Sequence, residues 1–176
     1  SPNSVTLFSV LVAFAAGYML YLSMPVTYVA AAVLVVANGV LDVVDGELAR
    51  RTGKASDKGD LLDHAADRYA DTAVVAGAAG STGEWFLGAV AVSGVVLVAD
   101  AGTAAQASGV GRLYGGFLTR AAISALVIVG CVWAATGFGG VGTDPFVFVL
   151  AVLGVGGHAP TLQRAVTVPR LAGKHR

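Results

Sequence analysis

The stretch LDVVDGELARRTGKASDKGDLLDHAADRYAD, from Leu41 to Asp71, contains eight of the eleven acidic residues of this chain. The other three, Glu84, Asp100 and Asp144, are scattered far from it. On an α-helix, residues three and four positions apart share one face. Most acidic residues in this stretch follow one another at these spacings. The pattern predicts carboxylate stripes on two helices that meet across the polar segment between them.

The rest of the chain is apolar. Hydrophobic residues make up 56% of the 176 residues and charged residues 12%, against about 25% charged residues in soluble domains. The mean hydropathy is +0.75, so the composition predicts an integral membrane protein. The net charge is zero and no basic block is present, which excludes the electrostatic footprint of a nucleic-acid-binding protein. The single cysteine, Cys131, lies in an apolar run and cannot pair within the chain.

Six stretches are long enough, and apolar over all or much of their length, to cross roughly 30 Å of membrane hydrocarbon as helices. Short joints containing Gly, Ser and Pro separate most of them, and no linker indicates a second domain. We therefore expect residues 1–176 to form a single all-α domain, a bundle of six transmembrane helices. The predicted spans are Val5–Met24, Val26–Arg50, Gly59–Gly77, Trp85–Gln106, Leu118–Gly137 and Pro145–Gln163.

The eleven Lys and Arg residues indicate the orientation of this bundle. All of them lie in the connections after the second and fourth spans, at the adjoining helix ends or in the C-terminal tail. The joints near residues 24, 80 and 140 contain none. By the positive-inside rule, we expect both termini and the acidic stretch, with any site at the ends of helices 2 and 3, on the cytoplasmic side of the cell membrane.

The carboxylates at the ends of the second and third spans need a compensating charge. Asp42 and Asp45 share a face of the second span, and the third span carries one stripe made of Asp60, Asp63, Asp67 and Asp71. Ionisable side chains at this depth are costly and mark candidate functional sites. Carboxylate oxygens favour hard divalent cations such as Mg²⁺, Mn²⁺ or Ca²⁺ over zinc. A solvated, salt-bridged surface and an ion pathway are the alternatives, but a pathway normally needs polar groups in several spans.

The full pattern is Asp42-x-x-Asp45-Gly46-x-x-Ala49-Arg50, eight residues, then Gly59-x-x-x-Asp63-x-x-x-Asp67. It resembles, position for position, the signature of the CDP-alcohol phosphotransferase family, membrane enzymes of phospholipid synthesis. Asp60 and Asp71 lie on the stripe but outside the signature, and we expect solvated or structural roles for both.

The resemblance implies a reaction. Enzymes of this family cleave the diphosphate of a CDP-linked donor, transfer its phosphoalkyl part to an acceptor hydroxyl and release CMP. The resemblance implies two divalent cations, Mg²⁺ or Mn²⁺, held by Asp42, Asp45, Asp63 and Asp67. It also implies that Asp67 is the general base. The sequence leaves three roles open for Asp67: base, metal ligand or both. The distinction matters because a metal-bound carboxylate is a weaker base.

Five further positions are expected to bind the donor: Asn3, Gly46, Ala49, Arg50 and Gly59. Gly46 lets a phosphate approach the backbone, Arg50 suits a two-pronged phosphate contact, and Gly59 leaves room for the nucleotide. Asn3, in SPNSVT, is similar to a Pro-Asn element of the family that reaches the donor diphosphate. From the residues alone, each of these positions also has a structural explanation. Gly46 could allow close helix packing, and Arg50 could extend its charged end from a helix terminus into water. Gly59 could be an ordinary loop glycine, and Asn3 could be a helix N-cap.

The acceptor is expected to contact the loop ASGVGRLYGGFLTRAA, residues 107–122. Its Arg112 and Arg120 are candidates to bind an anionic group, because GGFLTR is similar to the matching part of relatives that use inositol phosphate or glycerol phosphate. Ordinary positive-inside residues are the alternative. Inositol-phosphate-using relatives usually carry cations at the end of the fourth span, where this chain reads ADAGTAAQAS. Inositol phosphate therefore stays open as the acceptor, with Arg164 as a substitute positive charge.

The expected partners are a CDP-linked lipid donor, of diacyl or archaeal dialkyl type, and a small polar acceptor. The run LLDHAADRYAD also resembles relatives that use a soluble CDP-alcohol donor, which leaves that alternative open. Family resemblance further implies a homodimer. Two other classes predict different behaviour. A membrane metal transporter would show ion flux without nucleotide chemistry, and a structural subunit would be indifferent to Asp67→Asn.

Overall fold

A computed structural model of the chain describes residues 2–51, 57–107, 118–137 and 144–172. These residues form six α-helices and no β-strand. The all-α prediction and the number of helices are therefore confirmed. The helices are α1 (Pro2–Tyr21), α2 (Pro25–Arg51), α3 (Asp57–Thr82), α4 (Trp85–Ala107), α5 (Arg120–Thr136) and α6 (Pro145–Ala172).

Local signals explain several helix ends. Pro25 and Pro145 begin α2 and α6, where the fixed proline φ suits the first turn and the missing N–H is not needed. Thr119 caps α5, and its side chain accepts a hydrogen bond from the backbone N–H of Ala122 at 3.2 Å. Gly137 ends α5 in the left-handed conformation with φ of 65°. The cap at Thr119 determines where Arg120, the first residue of α5, enters the bundle.

The helices are those of a membrane protein. Within the described ranges, four stretches are long and apolar enough to cross a bilayer: Ser4–Tyr21, Pro25–Leu48, Trp85–Ala104 and Pro145–Val166. The α5 helix is apolar but has only 17 residues. The α3 helix carries the acidic stripe in its first half, which lowers its mean hydropathy. Large apolar side chains such as Val33, Phe86 and Phe148 are mostly exposed on the outside, as expected for contact with lipid.

Small residues allow the helices to approach closely. The α1 helix packs against both α2 and α3, α4 packs against α6, and α5 packs against α2. Gly17 of α1 and Gly77 of α3 meet at a crossing where a Cβ atom on either one would collide with the backbone of the other helix. Gly157 of α6 is packed in the same way against Gly94 of α4, where a Cβ atom on Gly157 would collide with the α4 backbone. Close helix contact through glycine is typical of membrane bundles.

This packing brings polar segments of four helices to one end of the bundle. The start of α1 faces the last turns of α2, which carry Asp42 and Asp45. The first half of α3 lies beside them, and α5 begins at the same level with Arg120. Side chains from distant parts of the sequence therefore meet in one place, joined by hydrogen bonds across the helices.

Candidate functional site

Three aspartates converge at the ends of α2 and α3. Asp42 of α2 and Asp63 and Asp67 of α3 each offer one carboxylate oxygen, and these oxygens all lie within 4.8 Å of one another. All three residues are half-buried. We call them the carboxylate group. Three carboxylates at this separation repel one another unless a positive charge lies among them. The structure thus brings Asp42 of the predicted α2 face together with two members of the predicted α3 stripe.

Arg120 supplies a positive charge from α5. Its Nη1 donates a hydrogen bond to Oδ1 of Asp42 at 2.5 Å and another to Oδ1 of Asp67. Its Nη2 donates to Oδ1 of Asn38 at 3.3 Å, and its Nε lies 3.9 Å from Oδ1 of Asp71. The side chain is only 21% exposed, so water screens these contacts weakly. Arg120, predicted from its loop as an acceptor residue, lies inside the site.

Asp45 faces α1 and not the three aspartates of the carboxylate group. It is 4% exposed, and its Oδ2 accepts a hydrogen bond from Thr6 Oγ1 of α1 at 2.8 Å. In the part of the chain that the structure describes, its oxygens are not among those that meet within 4.8 Å. Its position as a cation ligand stays a prediction.

Asn38 is a site residue that the sequence reasoning missed. It lies one turn before Asp42 on the same face of α2 and is 9% exposed. Its Nδ2 donates to the backbone carbonyl of Ser9 at 2.7 Å, while its Oδ1 accepts from Arg120. One feature of the sequence could have identified Asn38: a polar amide in the apolar part of a span, four residues before the first signature aspartate.

Asp60 and Asp71, the two stripe residues outside the signature, differ in environment. Asp60 is exposed, as expected for a solvated residue. Asp71 is only 7% exposed and lies between two guanidinium groups, with Oδ2 3.4 Å from Nη2 of Arg68 and Oδ1 3.9 Å from Nε of Arg120. A solvated role does not fit Asp71.

Four of the five residues predicted to bind the donor lie around the end of α2 and the start of α3, and Asn3 lies in the first turn of α1. Arg50 is exposed and contacts Glu47 at 3.0 Å, which also pairs with Arg51 at 2.6 Å. Exposed ion pairs of this kind contribute little, so Arg50 can exchange Glu47 for another anion. Gly46 lies within α2, and Gly59 lies in the first turn of α3 rather than in a loop. Arg112 and the side chains of Asn3 and Ala49 lie outside the described residues.

The carboxylate group suits a hard divalent cation. Its donors are carboxylate oxygens, the ligand type that Mg²⁺ and Mn²⁺ take. Oδ1 of Asp63 is buried and has no hydrogen-bond partner among the described residues. A buried carboxylate oxygen without a partner is costly, and a bound cation would satisfy it. The residues therefore fit the divalent cations that the signature implies.

Comparison with known proteins gives a family and relatives. The family model of the CDP-alcohol phosphatidyltransferases matches residues 1–156. The archaetidylinositol phosphate synthase of Pyrococcus horikoshii is 32% identical over 114 residues, which are 64% of this chain and 59% of that protein. The chain thus spans less than two thirds of the length of this curated relative.

Two crystal structures of a Mycobacterium tuberculosis phosphatidylinositol phosphate synthase have a similar fold. The structure in complex with manganese and citrate has a TM-score of 0.76 and 25% identity, covering 96% of this chain and 82% of that one. The structure with CDP-DAG bound has a TM-score of 0.75 and 26% identity, covering 96% and 86%. The family match covers nearly the whole chain, and three of the four signature aspartates meet in space. The chain belongs to the CDP-alcohol phosphatidyltransferase family.

Proposed function

We propose that this protein is a membrane enzyme that transfers a phosphatidyl or archaetidyl group from a CDP-linked lipid to a hydroxyl of a polyol phosphate, with release of CMP. The convergence of Asp42, Asp63 and Asp67 around Arg120 is the observation that carries this proposal. Carboxylates suit the cations that a diphosphate requires, and a guanidinium suits a phosphorylated acceptor. Family membership supports the reaction class, and the names of both relatives support inositol phosphate as an acceptor to test first.

Asp42, Asp63 and Asp67 would hold a divalent cation, and Asp45, on the next turn of α2, is the candidate ligand for a second. When bound, such cations neutralise the donor diphosphate and stabilise the charge that builds on the departing CMP. The manganese complex of the mycobacterial relative supports a divalent cation. Two cations and the choice between Mg²⁺ and Mn²⁺ remain part of the proposal.

Asp67 is proposed as the general base. Its carboxylate takes the proton of the acceptor hydroxyl as that oxygen attacks the lipid-bearing phosphorus, and the bond from this phosphorus to the CMP oxygen breaks. A base must lie within hydrogen-bond reach of the proton that it takes. Asp67 is half-buried, and Arg120 donates a hydrogen bond to one of its oxygens. Its other oxygen is then the one that would contact the cation or take the proton, and Asp67 as base, cation ligand or both stays part of the proposal.

Arg120 is proposed to bind the phosphate of the acceptor, with Arg112 as a second cation from the same connection. On the donor side, Arg50 and the small residues Gly46, Ala49 and Gly59 are proposed to contact the diphosphate and the nucleotide, with Asn3 at the start of α1. The exposed position of Arg50 at the end of α2 supports this role, because a CDP group must enter from water.

A lipid donor is preferred over a soluble CDP-alcohol. Four apolar helices support a bundle held in the bilayer, and the mycobacterial relative has been solved with CDP-DAG bound. A site at one end of such a bundle lets the cytidine stay in water while the lipid tails remain among the exposed apolar side chains. We also propose that this end is cytoplasmic, from the distribution of Lys and Arg, and that the protein is a homodimer, from family resemblance.

The test is a matrix of donors and acceptors. The purified protein is incubated in detergent with Mn²⁺ or Mg²⁺ and radiolabelled CDP-diacylglycerol, CDP-dialkylglycerol or a soluble CDP-alcohol. The acceptors are inositol phosphate, glycerol 3-phosphate, glycerol 1-phosphate and serine. We expect CMP release and a labelled lipid product with a phosphorylated acceptor, but not with serine or with the Asp67→Asn protein. If CMP is released from none of the donors, the proposed function is refuted.

A further inference from the structure

We infer that Asn38 and Asp71, which lie outside the aspartate signature, are positioning residues that hold the Arg120 guanidinium and thereby set the affinity for an anionic acceptor. This inference rests on the acceptor role proposed above for Arg120. It assigns a task to two buried polar side chains that neither the signature nor the reaction explains.

The partners of Arg120 fall into two kinds. Asp42 and Asp67 belong to the carboxylate group and are proposed to hold a cation. Asn38 and Asp71 do not belong to it. When the charge of Asp42 and Asp67 is compensated by a cation, their attraction for the guanidinium falls. The contacts with Asn38 and Asp71 remain, so these two residues keep Arg120 beside the group while its Nη1 is free for a phosphate oxygen.

Asn38 presents a hydrogen-bonding oxygen with a defined orientation to the Arg120 guanidinium. Its Nδ2 is engaged by the carbonyl of Ser9 on α1 at 2.7 Å, so its Oδ1 faces Nη2 of Arg120 at 3.3 Å. The reversed amide would place N–H groups against the guanidinium and lose both contacts. The α1 backbone therefore selects the orientation in which Asn38 holds Arg120. Asn38 is 9% exposed, so water does not readily replace this contact.

Asp71 holds the other edge of the guanidinium by charge. Its Oδ1 lies 3.9 Å from Nε of Arg120, too long for a good hydrogen bond but close for two opposite charges. Its Oδ2 faces Arg68, three residues earlier on α3, at 3.4 Å. A carboxylate that is 7% exposed and flanked by two guanidinium groups keeps its place without joining the cation ligands.

The experiment is a mutant cycle with two readouts. Asn38→Leu and Asp71→Asn are made alone and together with Arg120→Gln, and Asp60→Asn serves as a matched control, an exposed acid on the same stripe. The KM for the acceptor and for the CDP-lipid is measured for each single variant. Binding of inorganic phosphate and of glycerol phosphate to the Mn²⁺-loaded protein is measured by calorimetry for all variants.

We expect each single variant to raise the acceptor KM and weaken phosphate binding roughly tenfold, the loss typical of a contact with a charged group. The CDP-lipid KM should stay within about twofold, and Asp60→Asn should match the wild type. In the Arg120→Gln background, neither substitution should weaken phosphate binding further, because both act through Arg120. If Asn38 or Asp71 had only a structural role, its substitution would weaken phosphate binding in the wild-type background and in the Arg120→Gln background alike.

Three results would overturn the inference: an unchanged acceptor KM and phosphate affinity, losses that persist in the Arg120→Gln background, or no phosphate binding by the Mn²⁺-loaded wild type. If Asn38→Leu does not fold, Asn38→Ala removes the same oxygen without adding volume. The absence of CMP release from the wild type counts against the proposed function, whereas the calorimetric cycle tests the positioning role by itself.

Discussion

Nη1 of Arg120 donates a hydrogen bond to Oδ1 of Asp42 at 2.5 Å, although the two residues lie 78 positions apart in the sequence. The same nitrogen also donates to Asp67. A guanidinium from the start of α5 thus occupies the space between carboxylates of α2 and α3. Part of the negative charge that the signature concentrates is compensated from within the chain, and a cation or a phosphorylated acceptor would have to rearrange these contacts.

Asp67→Asn is expected to lower kcat by about 10² to 10⁴-fold, because the amide cannot take the proton of the acceptor hydroxyl. Release of labelled CMP from the CDP-lipid measures the effect. Asp60→Asn, an exposed residue two turns earlier on α3, should keep its rate within about twofold. An Asp67→Asn protein that retains most of its rate would exclude Asp67 as the base.

Removal of divalent cations is expected to abolish the reaction, and added Mn²⁺ or Mg²⁺ should restore it, because the carboxylate group offers oxygen ligands alone. Asp42→Asn and Asp63→Asn should each weaken Mn²⁺ binding by tenfold or more, roughly the value of one charged contact. Electron paramagnetic resonance of free Mn²⁺ gives the affinity without any turnover. Asp100→Asn, an exposed acid on α4, is the control, and an equal loss there would contradict a local site.

Arg120→Gln is expected to change two affinities in opposite directions. The acceptor KM should rise by about tenfold or more, since a guanidinium–phosphate contact is lost. Mn²⁺ should bind several-fold more tightly, because Arg120 no longer competes for Asp42 and Asp67. Kinetics and a Mn²⁺ titration measure the two changes. Arg51→Gln, which removes an exposed cation paired with Glu47, should alter neither, and Mn²⁺ affinity that falls in Arg120→Gln would contradict the competition.

Thr6→Val is expected to destabilise the protein by about 1–3 kcal/mol, because it removes the hydroxyl that donates to the buried carboxylate of Asp45. The shape of the side chain is nearly unchanged, so packing of α1 should be preserved. Thermal unfolding in detergent measures the effect. Thr103→Val is the matched control, since the Thr103 hydroxyl donates to the Asp100 carbonyl of its own helix and is exposed. Equal shifts for both variants would argue against a special role for the Thr6–Asp45 contact.

Gly17→Ala and Gly77→Ala are each expected to cost about 1–3 kcal/mol, because the added methyl group meets the backbone of the opposing helix and α1 and α3 must separate. Gly39→Ala is the control. An added Cβ there has no neighbour within 4 Å, and alanine favours the helix by up to about 1 kcal/mol. Melting temperatures in detergent compare the three. If Gly17→Ala and Gly39→Ala melt alike, the close α1–α3 crossing is wrong.

Local properties of the sequence were enough for the helices and for part of the site. The lengths of the apolar runs predicted six helices, because hydrocarbon thickness sets the length of a span. Spacings of three and four predicted that Asp63 and Asp67 share a face of α3 and point to the same side as Asp42. Helix ends were harder to place. The α3 helix continues to Thr82, beyond the predicted Gly77, because small residues prolong it without a hydropathy signal.

The sequence by itself determined a membrane bundle of helices with an aspartate signature at the ends of two of them, since helical periodicity and hydropathy act over a few residues. Only the tertiary structure decided the partners of these side chains. Arg120 inserts between Asp42 and Asp67, Asp45 turns to Thr6, and Asp71 is buried against two cations. These contacts depend on how each helix is rotated and how closely glycines let it approach its neighbours. Such properties arise from packing between distant segments, so no spacing of residues within one helix predicts them.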